Sequence, residues 1–171
     1  FRGKPVAKFV RASQQAFDSG DIAAIVATAA RPAMYVVGRQ AGNVAADQRW
    51  VAFFGAGFSG DNQLALQVES GAGTTQARVS GGSLGSVASP QATPSLHEVY
   101  LSTAGVRAWD RDGTSVATNG TGVSTAASIR RIIVGGIPSL GVGFWEGMIG
   151  EWGLLASAST PEEKAMLRAW S

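Results

Sequence analysis

An alternation of apolar and polar residues with a period of two is the strongest constraint on the fold of this chain. Across residues 63–69, Leu64, Leu66 and Val68 alternate with glutamine, alanine and glutamate. Successive side chains of a β-strand point to opposite faces, so this pattern is typical of a strand with one buried face. The segment therefore predicts a sheet that packs one side against a core.

Similar segments recur along the chain and are separated by glycine-rich turns. Glycine accounts for 23 of the 171 residues, and charged residues make up only 15%. This composition is typical of many short strands joined by turns. Asp112-Gly113 is favoured in tight type I′ hairpins, so residues 106–110 and 114–118 are predicted to pair antiparallel. The other predicted strands are residues 5–10, 33–38, 50–55, 75–80, 96–102 and 129–135, with turns at 71–73 and 81–83.

Residues 143–156 differ from the other predicted strands because apolar residues occupy both the odd and the even positions. The odd positions hold one apolar set and the even positions another: Trp145, Ile149 and Leu155 against Phe144, Met148, Trp152 and Leu154. A strand with apolar side chains on both faces is covered on both sides. We therefore expect a second sheet, or a helix, against each face of this strand.

A short helix is predicted directly after that strand. Thr160 is a favoured N-cap, Pro161 suits the first helical position, and Glu163 completes a capping box. Three apolar side chains, the last of them Trp170, share one face of the helix. A helix of roughly ten residues is unstable in isolation. We therefore expect it to dock on the sheets, with Trp170 as its anchor.

Three motifs occur in order over nearly the whole chain. Gly3-Lys4-Pro5-Val6-Ala7-Lys8-Phe9 comes first, the Asp-Gly hairpin of residues 106–116 follows, and Trp145-Glu146-Gly147-Met148-Ile149-Gly150-Glu151 precedes Leu154 and Thr160. Together they resemble the concanavalin A-like sandwich family, in particular its laminin G-like members in bacterial and phage proteins. The resemblance implies an all-β fold of two antiparallel sheets in jelly-roll order, closed by a short C-terminal helix.

We expect residues 1–171 to form one sandwich domain of this kind. Members of the family commonly carry a further strand before the opening motif, whereas this sequence begins almost directly on that motif. The remaining edge would come from residues upstream of Phe1 or from a neighbouring subunit, because an open edge strand can pair with another chain.

Composition argues against several classes of site. The chain has no cysteine and one histidine, which excludes thiol chemistry and histidine-cluster metal sites within a single chain. Its 14 basic and 12 acidic residues are scattered, so no nucleic-acid surface is predicted. No apolar run is long enough to predict a membrane span. Residues 55–60 match G-x-G-x-x-G, but no helix is predicted after them, so we interpret them as a hairpin loop and expect no cofactor.

Catalytic residues are not predicted, although related sandwiches include glycoside hydrolases. Glu146 and Glu151 are five positions apart, which on a regular strand places them on opposite faces. The same reasoning separates His97 from Tyr100, and we interpret His97 as a half-buried structural residue. A polysaccharide-processing enzyme, or a module attached to one, is the alternative to a non-catalytic protein.

Calcium is the only metal that the sequence brings into consideration. Two aspartates occur in Asp110-Arg111-Asp112-Gly113, and such domains sometimes bind calcium through aspartates and carbonyls. The segment is shorter than an EF-hand loop and lacks its bidentate glutamate. Because Asp112 already suits a turn, we predict no metal site here.

Ligand-binding residues are predicted on the hairpin, where Arg107, Trp109 and Arg111 share one face. An exposed tryptophan flanked by arginines can stack on a sugar ring or dock a protein. In the alternative interpretation Trp109 belongs to the core and the arginines extend from the edge of the sheet. We predict a non-catalytic binding or structural module, extracellular or on a virion surface. Its partner would be a glycan or neighbouring subunits, in an oligomer or on a particle.

Overall fold

Two antiparallel sheets of six strands each face one another across a shared core. The computed structural model describes residues 5–22, 24, 33–41, 48–54, 64–68, 74–79, 82–88, 93–101, 107–119, 131–136, 143–155 and 157–170. The strands in these ranges are β1 (Ala7–Phe9), β2 (Phe17–Asp18), β3 (Ala33–Gln40), β4 (Gln48–Phe54), β5 (Leu64–Val68), β6 (Thr74–Val79), β7 (Gly82–Ala88), β8 (Ser95–Leu101), β9 (Arg107–Arg111), β10 (Thr114–Asn119), β11 (Arg131–Val134) and β12 (Gly147–Leu155). One α-helix, α1 (Pro161–Trp170), follows them.

Each sheet combines consecutive strands with strands from distant parts of the sequence. The first sheet runs β1-β12-β3-β8-β9-β10 and the second runs β2-β11-β4-β5-β6-β7. Every described pairing is antiparallel. The prediction of an all-β sandwich with a short C-terminal helix is confirmed.

Three tryptophans dominate the core between the sheets. Trp50, Trp109 and Trp145 are each 0% exposed. The rings of Trp50 and Trp145 are 4.5 Å apart between centroids, and Trp50 also contacts the edge of His97. Aliphatic side chains of both sheets surround the three rings, including Met34, Val36, Val99, Ile132 and Ile149. Burial of this apolar surface is the main stabilising contribution to a sandwich.

The tight hairpin between β9 and β10 is confirmed. Asp112 and Gly113 have φ angles of 51° and 78°, as a type I′ turn requires at both central positions. Oδ1 of Asp112 also accepts a hydrogen bond from the backbone of Leu96 at 2.9 Å, which holds the turn against β8.

Two strands escaped the sequence analysis. Gly82 and Ser83, predicted to lie in a turn, begin β7, which pairs with β6 along its length. The two-residue β2 pairs with β11 and was not predicted either. The segments at 55–60 and 71–73 lie outside the described residues. Because β7 lacks a clear alternation, its pairing with the preceding strand β6 is what identifies it as a strand.

The last strand contains a bulge that the sequence analysis missed. The register of β12 against β3 shifts between Ile149 and Glu151, so Gly150 is an extra residue. A bulge reverses the alternation of faces beyond it. Ile149, Trp152 and Leu154 consequently all pack with the core. The prediction that Trp152 and Leu154 lie on the face opposite Ile149 was therefore wrong.

The outer face of the first sheet is the one turned away from the second sheet, and the described residues cover it at one end of β12. Leu155 lies beside Leu167 of α1, whereas Met148 at the other end lines an open cleft. The expectation that both faces of this strand are covered thus holds near Leu155 and fails near Met148.

Helix α1 begins with the predicted capping box. Oγ1 of Thr160 accepts a hydrogen bond from the Glu163 amide at 3.2 Å, and Oε2 of Glu163 accepts one from the Thr160 amide at 2.8 Å. The helix docks on the outer face of the first sheet through Lys164, which forms an ion pair with Asp110. The side chain of Trp170, the predicted anchor, lies outside the described part of the structure.

Candidate functional site

An open cleft lies on the outer face of the first sheet, where β1, β12 and β3 run side by side. Its volume is about 230 Å³. Lys8 pairs with Met148 across one ladder and Met148 pairs with Arg39 across the next, so the three side chains form a row. The described residues that line the cleft are Lys8, Phe9, Arg39, Ala41, Glu146, Gly147 and Met148.

The backbone of Glu146, at the floor of the cleft, is held by hydrogen bonds to residues of both sheets. The Glu146 amide donates to Oε1 of Gln48 at 2.8 Å, and the Glu146 carbonyl accepts from the Ala41 amide at 3.1 Å. At Gly147 an added Cβ would lie 2.4 Å from the Arg39 carbonyl oxygen, so only glycine lets β12 approach β3 this closely. The floor is therefore fixed in position by the fold.

The charges that line the cleft favour an anion. Of the lining residues that the structure describes, Lys8 and Arg39 contribute two cations and Glu146 contributes one carboxylate. Nη2 of Arg39 lies 3.5 Å from the sulfur of Met148, and the two side chains form one wall. Guanidinium groups bind carboxylates through parallel charge-assisted hydrogen bonds. The chemistry of the cleft suits a ligand with a carboxylate and an apolar patch.

A polar pair continues this surface along β3. The hydroxyl of Tyr35 donates to Oε1 of Glu151 at 3.1 Å. The tyrosine ring lies over Gly153, where an added Cβ would come within 2.5 Å of the ring. Burial, and secondarily the Glu151 carboxylate, raises the pKa of Tyr35 to about 12. The phenol therefore stays neutral at physiological pH, and its ring, its hydroxyl and the carboxylate are all available for contacts with hydroxyl groups of a ligand.

The hairpin residues named from the sequence are not gathered at the surface. Trp109 is 0% exposed, and its ring occupies the core position of the alternative interpretation. The side chain of Arg111 is 28% exposed and lies 3.6 Å from Asp112. Arg107 pairs with Leu101 and Asn119 through its backbone, and its side chain lies outside the described part. A ligand-binding role of the two arginines remains a prediction.

His97 is fully buried, not half-buried as the sequence analysis expected. It lies 2.7 Å from the Ser95 hydroxyl and accepts from Trp109. Burial, helped by the charge of Arg111, lowers the pKa of His97 to about 3, so the imidazole is neutral. Tyr100 lies on the opposite face, as the sequence predicts, where its ring is 4.9 Å from the Lys164 ammonium.

The aspartates considered for calcium contact protein groups. Asp110 forms an ion pair with Lys164 and lies 3.3 Å from the Tyr100 hydroxyl, while Asp112 accepts from Leu96. Among the described residues, no group of three or more histidine, aspartate or glutamate side chains is placed to hold a metal ion. In that same part of the chain, no helix has the length and apolarity needed to cross a membrane.

The two glutamates of the enzyme alternative lie on one surface, not on opposite faces. Glu146 lines the cleft with Met148, and the bulge at Gly150 turns Glu151 to that same outer face. A spacing of five residues places two side chains on opposite faces only of an unbroken strand. The prediction that Glu146 and Glu151 lie on opposite faces was therefore wrong.

Comparison with known proteins finds a relationship in structure but none in sequence. No protein-family model and no curated protein matches the sequence. The structure of the CBM40 module of a Ruminococcus gnavus IT-sialidase, bound to alpha2,3 sialyllactose, is similar with a TM-score of 0.60 and 11% identity. The match covers 96% of this chain and 98% of that one. The fold is that of the sialidase carbohydrate-binding modules.

Complete sialidases match over a smaller share of their length. NanB sialidase of Streptococcus pneumoniae gives a TM-score of 0.64 at 11% identity over 92% of this chain and 26% of its own. A leech intramolecular trans-sialidase gives 0.60 at 8% identity over 96% of this chain and 28% of its own. This chain spans about a quarter of those two proteins. At such low identity these likenesses concern the fold alone.

Lys8, Tyr35 and Arg39 were not predicted from the sequence as binding residues, and Glu151 was considered only for catalysis. Tyr35 and Arg39 are polar side chains at odd positions of β3, which is a usable signal for an outward polar face. Nothing local indicates that β1 and β12 bring Lys8 and Met148 beside Arg39, because those pairings join opposite ends of the chain.

Proposed function

We propose that this chain is a non-catalytic glycan-binding module whose ligand carries a carboxylate. The observation that carries the proposal is the end-to-end structural match with a module bound to sialyllactose, which covers 96% of this chain and 98% of that module. A match over the whole of a separate binding module favours binding over catalysis, although a shared fold alone does not determine function.

The cleft and the polar pair beside it are the proposed binding surface. Arg39 and Lys8 would hold the carboxylate of the sugar, and the Met148 side chain would pack against its apolar face. Tyr35 and Glu151 would contact hydroxyl groups further along β3. One end of the surface would thus bind the charged carboxylate of the sugar, and the other end would bind its neutral hydroxyl groups.

A glycan array tests the proposal. We expect the wild-type protein to bind carboxylated glycans and Arg39→Ala to lose that signal. Arg131→Ala, on the second sheet, and Arg111→Ala, on the hairpin, are matched controls that also remove one guanidinium each. A blank array for the wild-type protein at high concentration would contradict glycan binding. Loss of binding in Arg111→Ala or Arg131→Ala but not in Arg39→Ala would move the site to the hairpin or to the second sheet.

A polysaccharide-processing enzyme is the second candidate function. It is favoured by one observation, the placement of Glu146 and Glu151 on the same outer surface. The backbone carbonyl of Glu146 accepts a hydrogen bond from the amide of residue 41, and Glu151 is the ladder partner of residue 37. Residues 37 and 41 are four positions apart along the strand, which separates the backbones of Glu146 and Glu151 by roughly 13 Å. The paired carboxyl groups of glycosidases lie about 5–9.5 Å apart. Release of product from an array-positive polysaccharide, abolished in Glu151→Gln, would establish this alternative.

An extracellular location, on a secreted protein or a virion, accompanies the glycan-binding proposal. An oligomeric or particle-bound state is a separate expectation. Light scattering tests it: a monomer without affinity for purified particles would remove a structural role in assembly and leave glycan binding unaffected.

A further inference from the structure

Within the described part of the chain, five buried side-chain polar atoms at one end of the core have no hydrogen-bond partner. They belong to four residues that are each 0% exposed. The atoms are Oε1 and Nε2 of Gln40, Nε2 of Gln48, and Nε1 of Trp50 and of Trp145. Buried polar groups in native proteins are nearly always paired with protein or ordered water. Such a concentration in one region therefore requires a local explanation.

These residues converge from both sheets. An added Cβ on Gly38 of β3 would lie 3.0 Å from the Trp50 ring of β4, so the two strands are close there. Gln40 is two residues beyond Gly38 and Gln48 two residues before Trp50, and the burial of both glutamines places their side chains inside the sandwich. The Trp145 ring is 4.5 Å from that of Trp50. The two amides and the two indole rings therefore lie close together at this end of the core.

The donors and acceptors in this region are complementary in kind but are not bonded to one another. The Gln40 amide offers an acceptor and two donors, and each indole N–H offers a donor. A buried water typically makes about three hydrogen bonds to such groups. We infer that this end of the core is an internal hydration site, in which ordered water bridges the Gln40 and Gln48 amides and the indoles of Trp50 and Trp145.

The inference is independent of the proposed glycan binding. Gln48 also holds the Glu146 amide at the floor of the cleft through Oε1, so the hydrated region lies directly beneath that floor. The cleft can fail to bind any sugar while the site remains hydrated, and the reverse also holds.

Magnetisation transfer from water to the indole N–H protons tests the inference in the wild-type protein. We expect the indole N–H protons of Trp50 and Trp145 to show cross-peaks with water whose sign is that of long-lived bound water. Each cross-peak is assigned by its loss in Trp50→Phe or in Trp145→Phe. Trp109 is the internal control, because its indole donates to His97 and has its partner within the protein. Absence of the cross-peaks at both Trp50 and Trp145 would overturn the inference.

The sign of a stability change gives a second test. In a hydrated pocket Gln40→Met removes partners of the bound water, and we expect the melting temperature to fall by about 2–6 °C. In a dry pocket the same variant removes an unpaired amide, and the melting temperature would rise or stay unchanged, which would overturn the inference. Gln14→Met at an exposed turn is the matched control and should shift the melting temperature by less than about 2 °C. If Gln40→Met does not fold, the wild-type water measurement decides.

Discussion

Nε1 of Trp109 donates a hydrogen bond to Nδ1 of His97 over 3.2 Å, on the inner face of the first sheet. The bond makes Nδ1 the acceptor, so the imidazole proton resides on Nε2 and faces the Ser95 hydroxyl at 2.7 Å. His97 and Trp109 also stack, with ring centroids 5.8 Å apart. The only histidine of the chain and the tryptophan of the hairpin therefore act together as one structural unit of the core.

The neutral state of His97 makes stability depend on pH. Its pKa is about 3 in the folded protein and about 6.5 in an unfolded chain. Between these values the unfolded state binds the extra proton, so the free energy of unfolding falls as the pH falls, by up to about 1.4 kcal/mol per pH unit. His97→Gln lacks this contribution and should show a shallower decline between pH 6.5 and pH 3.

Urea unfolding at several pH values checks this prediction. Burial raises the pKa of Glu98, which acts in the opposite direction, but Glu98 is present in both proteins and its effect cancels in the comparison. Parallel curves for the wild type and His97→Gln would contradict the account of His97.

Burial of Trp109 predicts a stability effect without a direct effect on binding. Trp109→Phe removes one ring and the hydrogen bond to His97, and we expect it to lower the free energy of unfolding by about 2 kcal/mol. The affinity of the folded protein for a glycan should not change. Arg111→Ala, at the partly exposed edge of the same hairpin, should cost less than about 1 kcal/mol. An affinity lost in Trp109→Phe at unchanged stability would instead place Trp109 in a binding surface.

Lys164 is predicted to be the main anchor of helix α1. Its ammonium lies between two carboxylates that are almost fully buried, Glu98 at 1% and Asp110 at 4% exposed. Lys164→Met leaves these like charges adjacent in a poorly solvated site and should lower the free energy of unfolding by about 3 kcal/mol. The loss should shrink at low pH, because burial raises the pKa of Glu98 and its carboxyl binds a proton there. Chemical unfolding at pH 7 and pH 4 measures both effects.

The exposed Lys8 is the matched control for Lys164. Lys8→Met removes the same charge from the outer face of the first sheet, where solvent screens it, and should change stability by less than about 0.5 kcal/mol. Equal losses in the two variants would mean that general charge, not the buried ion pair, stabilises the protein.

The capping box predicts a smaller and separable effect on α1. Thr160→Ala removes the acceptor for the Glu163 amide and should lower the free energy of unfolding by about 1 kcal/mol. Thr160→Ser keeps the hydroxyl and should retain most of the stability. If serine and alanine are equally destabilising at this position, the hydroxyl does not cap the helix.

Local features of the chain were predictable from sequence because local physics determines them. The positive φ angles that a type I′ turn requires favour Asp112-Gly113, and Thr160 and Glu163 lie within one turn of each other. None of these features depends on which strands become neighbours.

Features that depend on register were not predictable. The bulge at Gly150 exists only in the pairing of β12 with β3, and β7 is a strand only through its pairing with β6. The cleft depends on the same kind of information, because Lys8, Arg39 and Met148 meet through ladders between segments far apart in the chain. The sequence instead predicted Trp109 as a ligand-binding residue, because a tryptophan between two arginines is a common binding pattern, and the fold buries it.

Titration of alpha2,3 sialyllactose and of lactose into the wild-type protein and into Arg39→Ala, followed by calorimetry, is the most direct test of the proposed binding surface. We expect the wild type to bind sialyllactose and not lactose, and Arg39→Ala to bind sialyllactose at least about tenfold more weakly, which corresponds to 1.4 kcal/mol. Equal affinity of both proteins for sialyllactose, or equal affinity of the wild type for the two sugars, would contradict carboxylate recognition in the cleft.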